Sequence, residues 1–126
     1  MLLKRSPRLY HNVLNKFKLE LSLNIAGSEF FGILGDLSED GLCAVIPVED
    51  GSMLATENGG EVHGSILGKD LREELKFDAR IAWQEMATFK GKHSFLLGIE
   101  FIESVKLPEV LQETLLRVAS KDRSAI

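Results

Sequence analysis

From Lys16 to Ile25 the chain alternates without a break: Phe17, Leu19, Leu21, Leu23 and Ile25 occupy one parity, and Lys16, Lys18, Glu20, Ser22 and Asn24 the other. Successive side chains of an extended strand point to opposite faces, so period two predicts a strand with one face buried and one in water. The pattern returns in Leu75, Phe77, Ala79, Ile81 and Trp83, and again in Phe95, Leu97, Ile99 and Phe101. Ala26-Gly27-Ser28 follows the first run as a short turn, and Phe30 to Leu37 then supplies the return strand of a β-hairpin. Leu42 to Val48 is apolar on both parities, as expected of a barrel wall or a covered sheet, with Pro47 marking a strand end.

Between these runs, Glu49 to Gly60 reads as a loop, with Asp50-Gly51 and Asn58-Gly59-Gly60 as turn signals. Glu61 to Leu67 reads as a weak strand, Lys69 to Leu75 as a charged helical turn, and Lys90-Gly91-Lys92 as the turn between the last two strands. The period changes at the end of the chain. Leu107, Leu111, Leu115 and Val118 fall on one stripe at spacings of three and four, and Pro108 suits a first helical position, so a helix is predicted over 107–120. Five or six antiparallel strands followed by one helix describe an all-β domain, a small barrel with the helix over an opening or edge. Its 126 residues and 44% hydrophobic content suffice for one packed core, and one domain over 1–126 is expected, with the barrel at 13–103.

Composition narrows the function. Nineteen acidic against fifteen basic residues give a formal charge of −4, which disfavours nucleic acid and acidic membranes as partners. No apolar run is long enough for membrane insertion or for a signal-peptide core. The lone cysteine, Cys43, permits no intrachain disulfide and suits a reducing cytoplasm, where it is expected to behave as an inert small hydrophobe. His11, His63 and His93 show no metal-ligand spacing, and no nucleophile elbow or phosphate-binding glycine loop is present. Catalytic residues, a metal and a cofactor are therefore not expected, and Trp83, on the apolar parity, is expected to anchor the core.

Two segments stand apart from the folding pattern. Lys4-Arg5-Ser6-Pro7-Arg8 puts three positive charges into five residues of an acidic chain. Arginine forks bond phosphates and the O6/N7 edge of guanine, and their flat faces stack on bases, whereas a solvated basic tail is the plain reading. Asp36-Leu37-Ser38-Glu39-Asp40-Gly41 joins two strands. Asp36 could accept from a base edge or pin an arginine, Ser38 could donate to an anion, and Gly41 allows close backbone approach; an ordinary Asx or Ser turn is the plain reading.

The two segments in this order, with a long alternating strand between them, resemble the PilZ domain family. Its pattern is Arg-x-x-x-Arg, then Asp-x-Ser-x-x-Gly. Arg8 matches the second arginine, and Asp36, Ser38 and Gly41 match the second motif in full. Lys4 stands at the first arginine's spacing and Arg5 one residue too close, so either Lys4 substitutes or Arg5 swings in. Ala79-Arg80-Ile81-Ala82-Trp83 and Gly98-Ile99-Glu100-Phe101 resemble the family's late strands, and the likeness runs from Lys4 to about Val118.

The resemblance implies a six-stranded antiparallel barrel with a C-terminal helix, and a cyclic di-GMP site formed by a basic N-terminal segment, 1–12, closing on the Asp-Ser-Gly turn. Lys4 or Arg5, together with Arg8, would hold phosphates and guanine faces; Asp36 would bond a guanine edge; Ser38 and Gly41 would shape the pocket. Such a domain is a non-enzymatic receptor whose output passes through a protein effector, as a monomer or homodimer. The alternative is a PilZ domain that has lost the ligand and serves as a protein-interaction module, for example in pilus or motility machinery. Glu39 and Asp40 lean toward the alternative by adding negative charge at the turn, whereas Arg8, Asp36, Ser38 and Gly41 lean toward the receptor.

Overall fold

The computed structural model describes residues 7–48 and 57–124, except for the side chains of 119–124. Lys4 and Arg5, and most of the loop expected over 49–60, lie outside the described residues. In chain order the elements are β1 (Leu9–Tyr10), α1 (His11–Leu14) with a 3-10 turn at Asn15–Phe17, β2 (Glu20–Ile25), β3 (Ser28–Leu37), β4 (Gly41–Pro47), β5 (Glu61–Leu67), β6 (Leu75–Phe89), β7 (Lys92–Phe101) and α2 (Glu109–Ser124).

The strands hydrogen-bond in the order β1-β3-β2-β5-β6-β7-β4, and β4 also pairs with β3. That last pairing closes six antiparallel strands into a barrel and leaves the two-residue β1 as an addition. Two hairpins turn on two-residue loops, Ala26-Gly27 and Lys90-Gly91, with all four residues in the left-handed region. These are turns whose twist matches that of the flanking strands. Burial follows the alternation seen in the sequence: Leu21, Leu23 and Ile25 of β2 and Phe77, Ala79 and Ile81 of β6 face inward. The last helix, α2, starts at Glu109 and not at Leu107; its Leu111 and Leu115 are buried against the barrel, and Leu107 is buried just ahead of the helix. Each fully buried side chain of this size is worth roughly 1.5–3 kcal/mol.

Three expectations fail for identifiable reasons. The first long strand begins at Glu20, not Lys16, because Asn15–Phe17 is a 3-10 turn and Lys18 takes a left-handed conformation (φ 49°). Phe17 and Leu19 still pack on the core, so the apolar parity survived without strand geometry. Residues 69–74 form turns and bends, not a helical turn. Finally, β6 continues to Phe89, and its register against β7 slips between Ile81 and Trp83. This bulge inverts the alternation downstream, so Trp83 leaves the core parity and is 43% exposed.

Leu9 and Tyr10, expected within a basic N-terminal segment, are built into the sheet. Leu9 is buried and pairs with Leu37, and Tyr10 pairs with Asp36. β3 bonds β2 only from Ser28 to Gly32, so the rest of that edge is open. β1 occupies it, which fixes the residues around Arg8 beside the Asp36 turn.

Candidate functional site

Of the residues singled out from the sequence, Arg8, Asp36, Ser38 and Gly41 come together at one end of the barrel's outer face. The Arg8 guanidinium forms an ion pair with Asp36 across 28 residues of sequence, with both side chains partly buried. The strand registers set out a row of outward positions: Tyr10 beside Asp36, Asp36 beside Cys43, Cys43 beside Gly98, Gly98 beside Trp83. Four interstrand steps make this row about 19 Å long. It runs along a cleft of about 600 Å³, whose lining also includes Ser38, Asp40 and Glu100.

The row is low in the middle and walled at its ends. A Cβ at Gly98 would lie 2.1 Å from Trp83 Nε1, so the indole lies against bare backbone there. Tyr10 is 60% exposed at the other end. Aromatic rings at the margins and small residues between them suit a planar group. The intrastrand Gly98, a position where glycine otherwise weakens a strand, was the sequence signal for this close approach.

Ser38 serves the turn itself. It is fully buried; its hydroxyl accepts from the Asp40 amide at 3.1 Å and its own amide donates to the Gly41 carbonyl at 2.9 Å. Those bonds make a serine turn, so Ser38 shapes the site from beneath; its oxygen is not turned out toward an anion. Gly41 stands where β4 starts, and a Cβ there would come within 2.2 Å of the Ile99 carbonyl oxygen on β7. The turn is braced from outside the motif as well. Phe101 N donates to Asp40 O at 2.8 Å, Val105 N to Glu39 O at 2.9 Å, and Ser104 Oγ to Asp40 Oδ1 at 2.9 Å.

Cys43 lies on the cleft floor. Burial, reinforced by Asp36 and Glu85 and opposed by Arg8, pushes its thiol up to about 11. An ordinary thiol near 9 would be about one-tenth thiolate at pH 8, and this one about one-thousandth. Alkylation by iodoacetamide at pH 8 should therefore run about a hundredfold slower than for an unperturbed thiol. Mass spectrometry of the native protein checks this; labelling at the ordinary rate would show the thiol to be less buried.

A larger cleft, about 740 Å³, crosses the outer face of β2, β5 and β6. Its charged lining is mainly acidic, Glu29, Glu74, Asp78 and Glu103, and its His63 is bonded to Asp78 at 2.6 Å. Lys76 is its only lysine or arginine among the described residues. The smaller cleft is the one that sets an arginine between two aromatic rings. Among the described residues no group of three or more metal-ligating side chains assembles, and no helix is long and apolar enough to cross a membrane.

The family model of the PilZ domain matches residues 3–118. The chain belongs to the PilZ domain family. Solved structures share its fold at low identity. PlzA of Borreliella burgdorferi, solved in complex with c-di-GMP, is 12% identical with a TM-score of 0.62, the match covering 96% of this chain and 52% of that one. The K. pneumonia MrkH–c-di-GMP complex is 11% identical with a TM-score of 0.63, over 100% of this chain and 57% of that one. The PilZ domain of Escherichia coli YcgR, solved with c-di-GMP, is 17% identical with a TM-score of 0.52, over 98% and 95%. The chain thus spans about half the length of PlzA and MrkH and nearly all of the isolated YcgR domain. Comparison with curated protein sequences gives no match.

Within this PilZ domain the Asp-x-Ser-x-x-Gly turn and Arg8 sit side by side, as the sequence motifs require. Trp83 joins them in place of its expected core position. Trp83→Ala should accordingly cost only about 1 kcal/mol of stability, against roughly 3–5 kcal/mol for a buried aromatic ring. Urea denaturation checks this, and a loss of 3 kcal/mol would return the ring to the core.

Proposed function

We propose that this PilZ domain is a cyclic di-GMP receptor that works without catalysis, in the cytoplasm, through a protein effector. The observation that carries the reading is the Arg8–Asp36 pair set in a cleft between Trp83 and Tyr10. A guanidinium offers bidentate bonds to a phosphate or a guanine edge, Asp36 accepts from donors on a base, and the rings offer stacking faces. Relatives solved in complex with c-di-GMP share this fold.

Charge assigns work to the basic segment that precedes Arg8. The described lining has one guanidinium against the carboxylates of Asp36, Asp40 and Glu100. A ligand with two phosphates needs more positive charge than that, and Lys4 and Arg5, four and three residues before Arg8, are the nearest source in sequence. Lys4 would bring charge without the fork, and Arg5 would bring both. Capture of the ligand by these charges together with Arg8 then changes the surface presented to an effector or to a second copy.

Isothermal titration with cyclic di-GMP, with GTP and cyclic di-AMP as controls, tests the reading. Selective binding at micromolar affinity or better is expected. No binding by a folded sample would overturn it and favour the interaction-module reading, to which the acidic lining of the cleft lends weight.

A further inference from the structure

Resting on the receptor reading, we propose that Glu100 reads the N1–H and N2–H edge of a guanine and sets the preference of this site for guanine. Three carboxylates line the cleft, and two are already engaged. Asp36 is held by Arg8, and Asp40 accepts from Ser104. The Glu100 carboxylate forms no hydrogen bond or ion pair with any described residue. Glu100 faces outward from β7, pairs in register with Gly41 of the motif turn on one side and Arg80 on the other, and lies two residues beyond Gly98, where the Trp83 indole rests.

A free carboxylate in a site for a diphosphate needs a reason. Near the phosphates it opposes binding, since like charges at close range repel. The part of the ligand that best rewards an unpaired carboxylate is a pair of adjacent donors, which a lone ribose hydroxyl does not offer, and guanine alone among the common bases presents N1–H beside N2–H. Two outward positions on one strand are about 7 Å apart, so a base stacked on the indole over Gly98 has its edge within reach of the side chain at 100. A site built to bond donors rejects an analogue that lacks them, because its acceptor is left unpaired.

Cyclic di-IMP is the informative probe, for it keeps N1–H and O6 and lacks only the N2 amino group. Titration of the wild-type protein with cyclic di-GMP and cyclic di-IMP should show a preference for the former of roughly tenfold or more. Glu100→Gln and Glu100→Ala should each weaken cyclic di-GMP by about tenfold and bring the ratio close to one, with circular dichroism and the melting transition unchanged at this exposed position. An unchanged ratio in both variants would overturn the inference. Tighter binding of both ligands would overturn it too, showing that Glu100 only opposes the phosphates. A wild-type protein that binds neither ligand would instead overturn the receptor reading, and the role of Glu100 with it.

Discussion

Arg8→Ala should weaken cyclic di-GMP binding by roughly ten- to a hundredfold, the loss of charge-assisted hydrogen bonds worth about 1.5–3 kcal/mol. Its effect on stability should be small. The ion pair to Asp36 is partly exposed, with side-chain accessibilities of 33% and 22%, and such pairs contribute at most about 1 kcal/mol. The neighbouring anchor, Leu9 against Leu37, stays in place. Titration calorimetry paired with a urea melt separates the two effects. A variant that binds as tightly as wild type would remove Arg8 from the site, while one that unfolds would show the pair to be structural. Arg8→Lys refines the result: charge alone would restore most of the affinity, whereas a requirement for the fork would leave it weak.

Gly41→Ala should damage both fold and site. The added Cβ would meet the Ile99 carbonyl oxygen at 2.2 Å, and because both atoms belong to backbone or to Cβ itself, no side-chain rotation relieves the clash. β4 must move from β7 at the point where Gly41 pairs with Glu100, disturbing the turn that Ser38 closes. Overpacking of this kind costs about 1–3 kcal/mol, and the rigid backbone partner puts Gly41 at the upper end. Gly27→Ala is a useful contrast. It has open space around its Cβ and only its left-handed φ of 83° to oppose the change, so it should cost about 1 kcal/mol. Equal melting temperatures for the two variants would show that the β4–β7 junction gives way easily.

Much of the barrel was legible from alternation alone, since Leu21, Leu23 and Ile25, and likewise Leu97, Ile99 and Phe101, face inward where period two placed them. The terminal helix was equally plain in Leu111 and Leu115, although it starts two residues later than the stripe from Leu107 suggested. Closure was not legible, because the pairing of β3 with β4 and of β2 with β5 joins residues by register, which no local pattern encodes. β1 was missed for a different reason: two residues carry no periodicity, and Leu9 is held by the open edge of β3. The site divided along the same line. Arg8, Asp36 and Gly41 were visible as motif letters, yet the inward role of Ser38 depended on turn geometry. Trp83 was misplaced because a single register slip, invisible in composition, reversed the faces of β6 beyond Ile81. Lys4 and Arg5 lie outside the described residues, and their part in the site stays a proposal.

The bracing of the 38–41 turn bears on how occupancy would be communicated. Glu39 and Asp40 offer their carbonyls to amides at 105 and 101, and Asp40 offers its carboxylate to Ser104, at the end of β7 and on the strap that leads from it into α2. These three hydrogen bonds tie the motif turn to the segment that leads into the helix without passing through the packed interior. The core can remain rigid while turn and strap shift as one piece, like a lever on a fixed bearing. A signal built on this domain would then be read at the root of α2, with no demand on the barrel to deform.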